Sequence, residues 1–224
     1  DQAWDFAVPI VLLKIMPGHL RIAALYYLLM RMASVVLLPR LASVIDTKDR
    51  IKVVRLGLLI QFAGVSLGAA SVYSLWIFGF ESPSFSSVKF SVVFLFMVIG
   101  GLLGTLGASL MDIAIANDLA PSVFSGQELS RFNSRFRQVD LLTEVGSPVI
   151  AGLLLTLSDV WIPMTGFLLV VFWNLISFFP EYGILSSVFQ ERPDLQKKLM
   201  HISDGVRKSF TRKIAEGWKE FFEQ

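Results

Sequence analysis

Long apolar runs dominate the pattern of this chain, and only a few polar residues interrupt each run. An α-helix needs about 20 residues, at 1.5 Å each, to cross about 30 Å of hydrocarbon. The first run is too short, so we expect the chain to start inside its first membrane helix. The pattern predicts an all-α membrane protein with six transmembrane helices, at residues 3–16, 20–45, 52–80, 88–116, 132–157 and 161–189.

The composition turns polar near residue 191. Apolar residues then recur at helical spacing among lysines and arginines, at Val206, Phe210, Ile214, Trp218 and Phe221. This pattern is typical of a basic amphipathic helix on a membrane surface. A solvated linker and a helix leading to another membrane domain are the alternatives. We therefore predict a six-helix lobe over residues 1–190 and a cytoplasmic amphipathic linker over residues 191–224.

Composition and charge distribution agree with a membrane protein. Hydrophobic residues make up 54% of the chain, the mean hydropathy is +0.63, and charged residues make up only 17%. Lysines and arginines concentrate in the loop after the second helix, the loop after the fourth helix and the tail. Basic loops stay cytoplasmic, so these three segments are predicted to face the cytoplasm.

Motifs of soluble enzymes are missing from the sequence. It contains no glycine-rich phosphate loop, no Gly-x-Ser-x-Gly and no His-Glu-x-x-His, and it has no cysteine. The two histidines, His19 and His201, are far apart. The basic tail fits a membrane surface better than nucleic acid. We therefore expect neither an enzyme nor a nucleic-acid-binding protein.

Several polar side chains fall inside the predicted spans, where a carboxylate usually faces a cavity or a partner. Counting 1.5 Å per residue from the outer helix ends places Asp1, Gln61 and Asn174 about 18 to 24 Å deep, and Glu181 about 28 Å deep. Such oxygen ligands suit Ca²⁺, Mg²⁺ and Mn²⁺, and Fe²⁺ with weaker selectivity. An interhelical hydrogen-bond network without an ion is the alternative. Asp5 is either a second ligand or a carboxylate lining a wet cavity.

A second polar group lies at the predicted cytoplasmic helix ends and contains both signs of charge. It comprises Asp46, Arg50, Asp118, Arg137 and Asp140. Acid–base pairs shared among helix ends can close a path on one side and break when it opens. We therefore predict an inner gate, with ordinary surface ion pairs as the alternative.

Ordered sequence matches resemble the ferroportin family of major facilitator transporters. The matching segments are Asp1–Val8 in the first helix, Val44–Lys52 in the loop after the second, Asn133–Arg137 with Asp140, Leu142, Thr143 and Pro148 in the fifth, Trp173–Tyr182 in the sixth, and Glu216–Gln224 in the tail. There are also departures. Asp5 stands where vertebrate members have His, Phe62 replaces an Asn, and Ala42-Ser43 replaces a Gly-Asp pair.

The resemblance implies the N-terminal half of a twelve-helix exporter of Fe²⁺ and related metals such as Mn²⁺, Co²⁺ and Ni²⁺. It implies that Asp1 serves a metal site, that Gln61, Asn174 and Glu181 belong to a Ca²⁺ site, and that the charged helix ends form the gate. The full candidate metal set is Asp1, Asp5, Gln61, Asn174, Ser177, Phe178 and Glu181.

The same resemblance gives the expected partners and location. The partners would be divalent metal ions, the lipid bilayer and a missing C-terminal half, in a monomer. The absence of cysteine suits a bacterial relative, so the expected location is the bacterial inner membrane, as a multi-pass protein.

Two other functions remain open from the residues. The chain can instead belong to a proton-coupled major facilitator exporter of small organic molecules, with Asp1, Asp5 or Glu144 as proton sites. A membrane-embedded enzyme is poorly supported, because no nucleophile–base pair or His-rich metal set is present.

Overall fold

The structure is a bundle of α-helices, seen in a computed structural model that describes residues 2–79, 85, 87–158, 164–192 and 195. Among these residues there are seven α-helices and one π-helical segment. They are α1 (Gln2–Ile15), α2 (Leu20–Thr47), α3 (Arg50–Phe78), α4 (Val88–Asp112), the π-helix (Ile113–Leu119), α5 (Ala120–Val123), α6 (Gly126–Ser158) and α7 (Thr165–Glu191).

Five of the described helical stretches are long and apolar enough to cross a membrane. They are Leu20–Pro39, Arg50–Phe78, Val88–Val123, Gly126–Thr156 and Thr165–Glu191. The remaining predicted span is α1, whose 14 residues make a helix of about 21 Å, too short to cross the bilayer. The prediction of an all-α, multi-pass membrane fold is therefore confirmed.

The fourth span runs further than the sequence pattern predicted. It was expected to end at residue 116, but the helical path continues through the π-helix and α5 to Val123, and α6 begins at Gly126 instead of residue 132. Asp118 was expected to lie just after the end of this helix. Asp118 instead pairs with Arg50 on α3, so its charge is satisfied within the bundle.

Glycines allow α3 and α4 to pack backbone against backbone. A Cβ atom added at Gly64 would come within 3 Å of backbone atoms of Gly100, Leu103 and Gly104, so no larger residue fits there without a shift. Gly107 lies in the same way against the backbone of Gln61. Close approach of this kind increases van der Waals contact between helices, which drives their association in lipid. The packing fixes the position of Gln61.

Two groups of buried apolar side chains hold the bundle together. The larger group joins α1, α2, α3, α4, α6 and α7, and includes Trp4, whose ring lies 5.7 Å from that of Phe167. The smaller group joins the start of α3, the end of α4 and the end of α7, and includes Leu58, Leu110 and Phe189. Leu58 of the smaller group also lines a cavity together with Gln61, Asn174 and Glu181, so the polar candidates border the apolar core.

Some predictions concern residues outside the described part of the chain. These are Asp1, the side chain of Asp46, and the amphipathic tail from residue 196 onwards. The boundary between the lobe at residues 1–190 and the linker at residues 191–224 therefore stays a prediction.

Candidate cation site and helix-end ion pairs

A small polar cavity lies between α3 and α7. Its volume is about 10 Å³, which is about enough for one water-sized sphere. Five of the seven candidate metal-site residues line it, namely Gln61, Asn174, Ser177, Phe178 and Glu181, together with Leu58 and Phe62. The structure thus brings these five predicted residues around one space.

The α7 side of the cavity follows from the helical period. Asn174, Ser177 and Glu181 are spaced by three and four residues, which places them on one face of an α-helix. The hydroxyl of Ser177 donates a hydrogen bond to the carbonyl oxygen of Asn174, 2.9 Å away. Pro180 has no N–H to donate, so the carbonyl of Ile176 lacks its regular helix partner. α7 therefore lacks one backbone hydrogen bond beside the cavity, although the helix continues to Glu191.

The donor set fits a hard cation. Among the described residues, the cavity offers one carboxylate from Glu181, two side-chain amides from Gln61 and Asn174, and one hydroxyl from Ser177. Ca²⁺ binds six to eight oxygens and Mg²⁺ six, so water or further protein oxygens would complete the shell. No group of three or more His, Cys, Asp or Glu side chains suited to a metal occurs in the described part. The polar side chains that line this cavity offer oxygen atoms, with Glu181 as the one carboxylate among the described lining residues.

Aromatic rings form the apolar wall of the cavity. The rings of Phe62 and Phe178 lie 5.3 Å apart between their centroids, and Phe178 stacks on Tyr182 at 6.2 Å. At Phe62, where the ferroportin pattern has Asn, a ring therefore occupies that side of the cavity in place of a polar side chain. A wall of low polarity strengthens the electrostatic attraction between a cation and the oxygens opposite it.

A second, larger cavity of about 630 Å³ adjoins the first, between α1, α6 and α7. Asn174, Ser177 and Glu181 line both cavities. The remaining lining is mainly apolar and includes Ala151, Leu154, Phe172 and Trp173. Its volume lies in the range of small-molecule sites. The polar face of α7 therefore borders a space much larger than a single ion.

Asp5 is located away from the small cavity. It lies on α1 and is half-buried, and its backbone carbonyl accepts a hydrogen bond from the hydroxyl of Tyr27 on α2. Arg31 on α2 is close enough to interact with it electrostatically. Asp5 is not among the residues that line the small cavity, so its role, as a second ligand or as a carboxylate lining a wet cavity, stays a prediction.

Arg50 and Asp118 form the best-defined ion pair in the described part of the bundle. The Nε atom of Arg50 donates to one carboxylate oxygen of Asp118 at 3.0 Å, and Nη2 donates to the other at 3.4 Å. Both side chains are largely buried, with exposed fractions of 14% and 15%. Arg50 Nη1 also donates to the carbonyl oxygen of Leu195 at 3.4 Å. The pair ties the start of α3 to the π-helix that follows α4.

Arg137 and Asp140 pair with each other, three residues apart on α6. Their side chains are 66% and 39% exposed, so water screens this pair strongly. No ion pair among the described residues joins them to Arg50 or Asp118. Four of the five predicted gate residues thus occur in two ion pairs within the described part, and the side chain of Asp46 lies outside it.

The sequence reasoning missed two features of these sites. One is the π-helix Ile113–Leu119, a rare element that often occurs at functional sites and that carries Asp118. The other is the position of Arg55, whose guanidinium lies 5.8 Å from the centre of the Tyr182 ring. The pairing of a basic residue on α3 with an aromatic one on α7 has no signal in the local sequence.

Three features of this bundle are those of membrane transporters: helices packed through glycines, a cavity with polar lining, and a largely buried Arg–Asp pair at one end. The fold is that of a major facilitator lobe. The family model Ferroportin1 (FPN1) matches residues 1–224. The chain belongs to the ferroportin family.

Curated relatives come from bacteria, plants and animals. Over 223 residues the chain is 38% identical to "Ferreportin" of Bdellovibrio bacteriovorus, which covers 99% of this chain and 47% of the relative. It is 25% identical over 199 residues to "Solute carrier family 40 member 1" of Oryza sativa, covering 88% of this chain and 40% of the relative. The chain therefore spans about half the length of the relatives it matches, in keeping with its expected position as the N-terminal half.

Solved structures with this fold exist in two conformations. One is a bacterial homologue of the iron transporter ferroportin in an outward-facing state with soaked iron, at a TM-score of 0.78 and 39% identity, covering 89% of this chain and 48% of that one. Another is a bacterial homologue in an inward-facing state, at a TM-score of 0.74 and 40% identity, covering 85% and 47%. The lobe thus resembles ferroportin homologues in both states.

Proposed function

We propose that this chain is the N-terminal half of a divalent-metal efflux transporter in a bacterial inner membrane, with Fe²⁺ as cargo and a Ca²⁺ site in this lobe. The cargo range would include Mn²⁺, Co²⁺ and Ni²⁺. The observation that carries the proposal is the cavity at which Gln61, Asn174 and Glu181 meet. The description of an iron-soaked homologue that shares the fold supports a metal as cargo.

In this proposal the cavity oxygens replace the water shell of a divalent cation. Glu181 supplies the negative charge, and the amide oxygens of Gln61 and Asn174 supply neutral ligands from two helices. Asp1, which precedes the described residues, would add a second carboxylate from the first helix. A cation held between α3 and α7 would stabilise one arrangement of the two helices, because only the arrangement that brings the ligands together satisfies it.

Transport would proceed by alternating access, with the other half of the protein closing over each side in turn. The buried Arg50–Asp118 pair is suited to an inner gate, because its burial makes the closed arrangement costly to break. Homologues with this fold in outward-facing and inward-facing states support two such arrangements. Asp46, Arg137 and Asp140 would complete the gate in contact with the other half.

Calorimetry on the purified full-length protein tests the cation site. Saturable binding of Ca²⁺, with competition from Mn²⁺ and Co²⁺, is expected for the wild type. Asn174→Ala and Glu181→Ala should each lower the affinity by at least about tenfold, because each removes an oxygen ligand from a small site. Glu144→Gln is the matched control, since it removes one carboxylate from an exposed position on α6. Equal binding in wild type and both site variants would leave an ion-free hydrogen-bond network as the better description.

The affinity for the cation should also be lower at acidic pH than at neutral pH. Glu181 must be ionised to bind the cation, so protons and the cation compete for it. The expected sign is weaker binding at acidic pH, with the dependence much reduced in Glu181→Ala. Binding that is independent of pH would contradict a ligand role for this carboxylate.

A proton-coupled exporter of small organic molecules is the second candidate, favoured by the cavity of about 630 Å³ with its largely apolar lining. The same calorimetry separates the two functions, because this alternative requires no competition between divalent metals. Uptake into proteoliposomes gives a second criterion. Metal flux that survives Glu144→Gln supports the metal transporter, whereas flux of an organic solute that is lost in this variant supports the alternative.

A further inference from the structure

A groove that is open at the surface of this lobe, also between α3 and α7, has no role in the proposed function. Its volume is about 260 Å³, and it is lined by Arg55, Leu59, Phe178 and Tyr182. It is separate from the cation cavity, but Phe178 lines both. One residue of the lining is a permanent cation and the other three are apolar or aromatic, which is the composition expected at a site for an amphiphile.

Arg55 is held at one end of this groove. Its guanidinium lies 5.8 Å from the centre of the Tyr182 ring, a distance at which the ring face attracts the cation. None of the ion pairs within the described residues involves Arg55. A guanidinium placed over an aromatic ring keeps its N–H groups available for a carboxylate or phosphate. The arginine therefore presents an oriented donor group at the mouth of the groove.

The depth of Arg55 matches the lipid headgroup region of the inner leaflet. It is five residues from the start of α3, which corresponds to about 8 Å along the helix from its predicted cytoplasmic end. Arginine at such a depth reaches towards the interface with its charged group while its stem stays in the apolar region. Tyr182 lies at a similar level, nine residues before the end of α7. Tyrosine is enriched at this level of the membrane.

The rest of the groove is suited to a hydrocarbon chain. Leu59 lies one helical turn beyond Arg55, towards the membrane centre, and is 58% exposed. The ring of Phe178 forms the opposite wall. A phospholipid would match the cationic and the apolar parts of the groove together, with its phosphate at Arg55 and an acyl chain along Leu59 and Phe178. We propose that this groove binds one anionic phospholipid of the cytoplasmic leaflet, with its phosphate on Arg55.

The shared wall gives this lipid an effect on the cation cavity. Phe178 packs against Phe62 on its cavity side and stacks on Tyr182 at the groove. An acyl chain against Phe178 restricts the movement of that ring, and so keeps the cavity at one size. Inorganic phosphate has no hydrocarbon chain and would not have this effect, so competition with phosphate distinguishes a lipid from a free anion.

Native mass spectrometry of the delipidated full-length protein in neutral detergent tests the proposal. Phosphatidylglycerol and phosphatidylcholine with identical acyl chains are titrated separately, and bound lipids are counted. The wild type should retain one phosphatidylglycerol in preference to phosphatidylcholine. Arg55→Gln should weaken that binding about fivefold, which corresponds to about 1 kcal/mol for one basic residue at the membrane surface. Tyr182→Leu should weaken it without a change of net charge, because the guanidinium loses its ring.

Lys52→Gln is the matched control on the same helix. Lys52 is exposed, lies outside the groove and pairs with Asp49 at 2.7 Å. The proposal is overturned if Lys52→Gln and Arg55→Gln lose phosphatidylglycerol equally, since a diffuse surface charge would then explain the preference. It is also overturned if Arg55→Gln binds the lipid like the wild type, or if inorganic phosphate displaces the lipid completely. Cation binding by Arg55→Gln in detergent without lipid should equal that of the wild type, so failure of this site is distinguishable from failure of the cation site.

Discussion

The two Arg–Asp pairs of this lobe allow a direct test of the proposed gate. They have the same chemistry and differ mainly in burial: 14% and 15% exposed for Arg50–Asp118, against 66% and 39% for Arg137–Asp140. We consider Arg50→Gln, Asp118→Asn and the double variant, together with the equivalent set Arg137→Gln, Asp140→Asn and their double variant. Each set forms a double-mutant cycle that isolates the coupling between the partners.

The expected magnitudes follow from burial and geometry. Removing one partner of a fully buried pair costs about 3 to 5 kcal/mol, because a charge is left unpaired away from water. The Arg50–Asp118 pair keeps some exposure, so we expect about 2 to 3 kcal/mol for each single variant and a coupling energy of about 2 kcal/mol. The pair on α6 is exposed and joins residues of a single helix, where the typical value is about 0.3 to 0.5 kcal/mol.

The assay is the free energy of unfolding of the purified full-length protein in mixed micelles, measured for all six variants. A second readout reports the gate. Because these 224 residues contain no cysteine, single cysteines can be introduced at their predicted cytoplasmic helix ends, with any cysteine elsewhere in the full-length protein replaced by serine, and spin-labelled to give distance distributions. Asp118→Asn should shift these distributions towards the open inner side. A coupling energy below about 0.5 kcal/mol for Arg50–Asp118, or equal coupling in both cycles, would refute the reasoning from burial.

Three further predictions concern packing and the tail. Gly107→Ala should destabilise the fold by about 1 to 3 kcal/mol and weaken cation binding, because the added Cβ would displace the backbone of Gln61. Gly183→Ala is the control, since a Cβ at that position meets no atom within 4 Å. It should change neither the unfolding free energy nor the calorimetric affinity. Lys14→Met should cost about 1 kcal/mol of unfolding free energy, since the Lys14 ammonium donates a 2.9 Å hydrogen bond to the carbonyl of Leu155 from an exposed position. Trp218 fluorescence should be quenched by lipid-borne quenchers in the headgroup region, because the tail is predicted to lie on the membrane. Full quenching by aqueous iodide would instead favour a solvated linker.

Much of the candidate site was predictable from helical periodicity alone. The spacing of Asn174, Ser177 and Glu181 fixes one face of α7 wherever that helix lies. A depth count from helix ends then brought Gln61 to a similar level, because transmembrane helices run roughly across the same slab. The same count could not separate Asp5 from the cavity, since depth says nothing about which way a helix is rotated about its axis.

The gate shows a second limit of sequence reasoning. Opposite charges at helix ends indicated a shared cluster, but the structure pairs Arg50 with Asp118 and leaves Arg137 with Asp140 on their own helix. The first pairing depends on the π-helix, which extends the fourth span beyond its apolar run and brings Asp118 towards α3. The helical path continues past Asp118 because this carboxylate pairs with Arg50. The two residues are 68 positions apart, so the local sequence does not show the pairing.

The sequence by itself determined the class of protein, the helical spans to within several residues, the residue types available to bind a cation and their order along each helix. Hydropathy and the helical spacing of residues are local properties of the chain. In the apolar bilayer, an apolar run of this kind forms all its backbone hydrogen bonds within itself by becoming an α-helix. Tertiary structure alone decided which faces meet. Three features each require two helices to take one particular rotation and offset relative to each other. They are the approach of α3 to α4 through glycine backbones, the cavity wall made by Phe62 and Phe178, and the placement of Arg55 over Tyr182. That choice depends on the summed packing of many side chains, and no single segment of the sequence contains it.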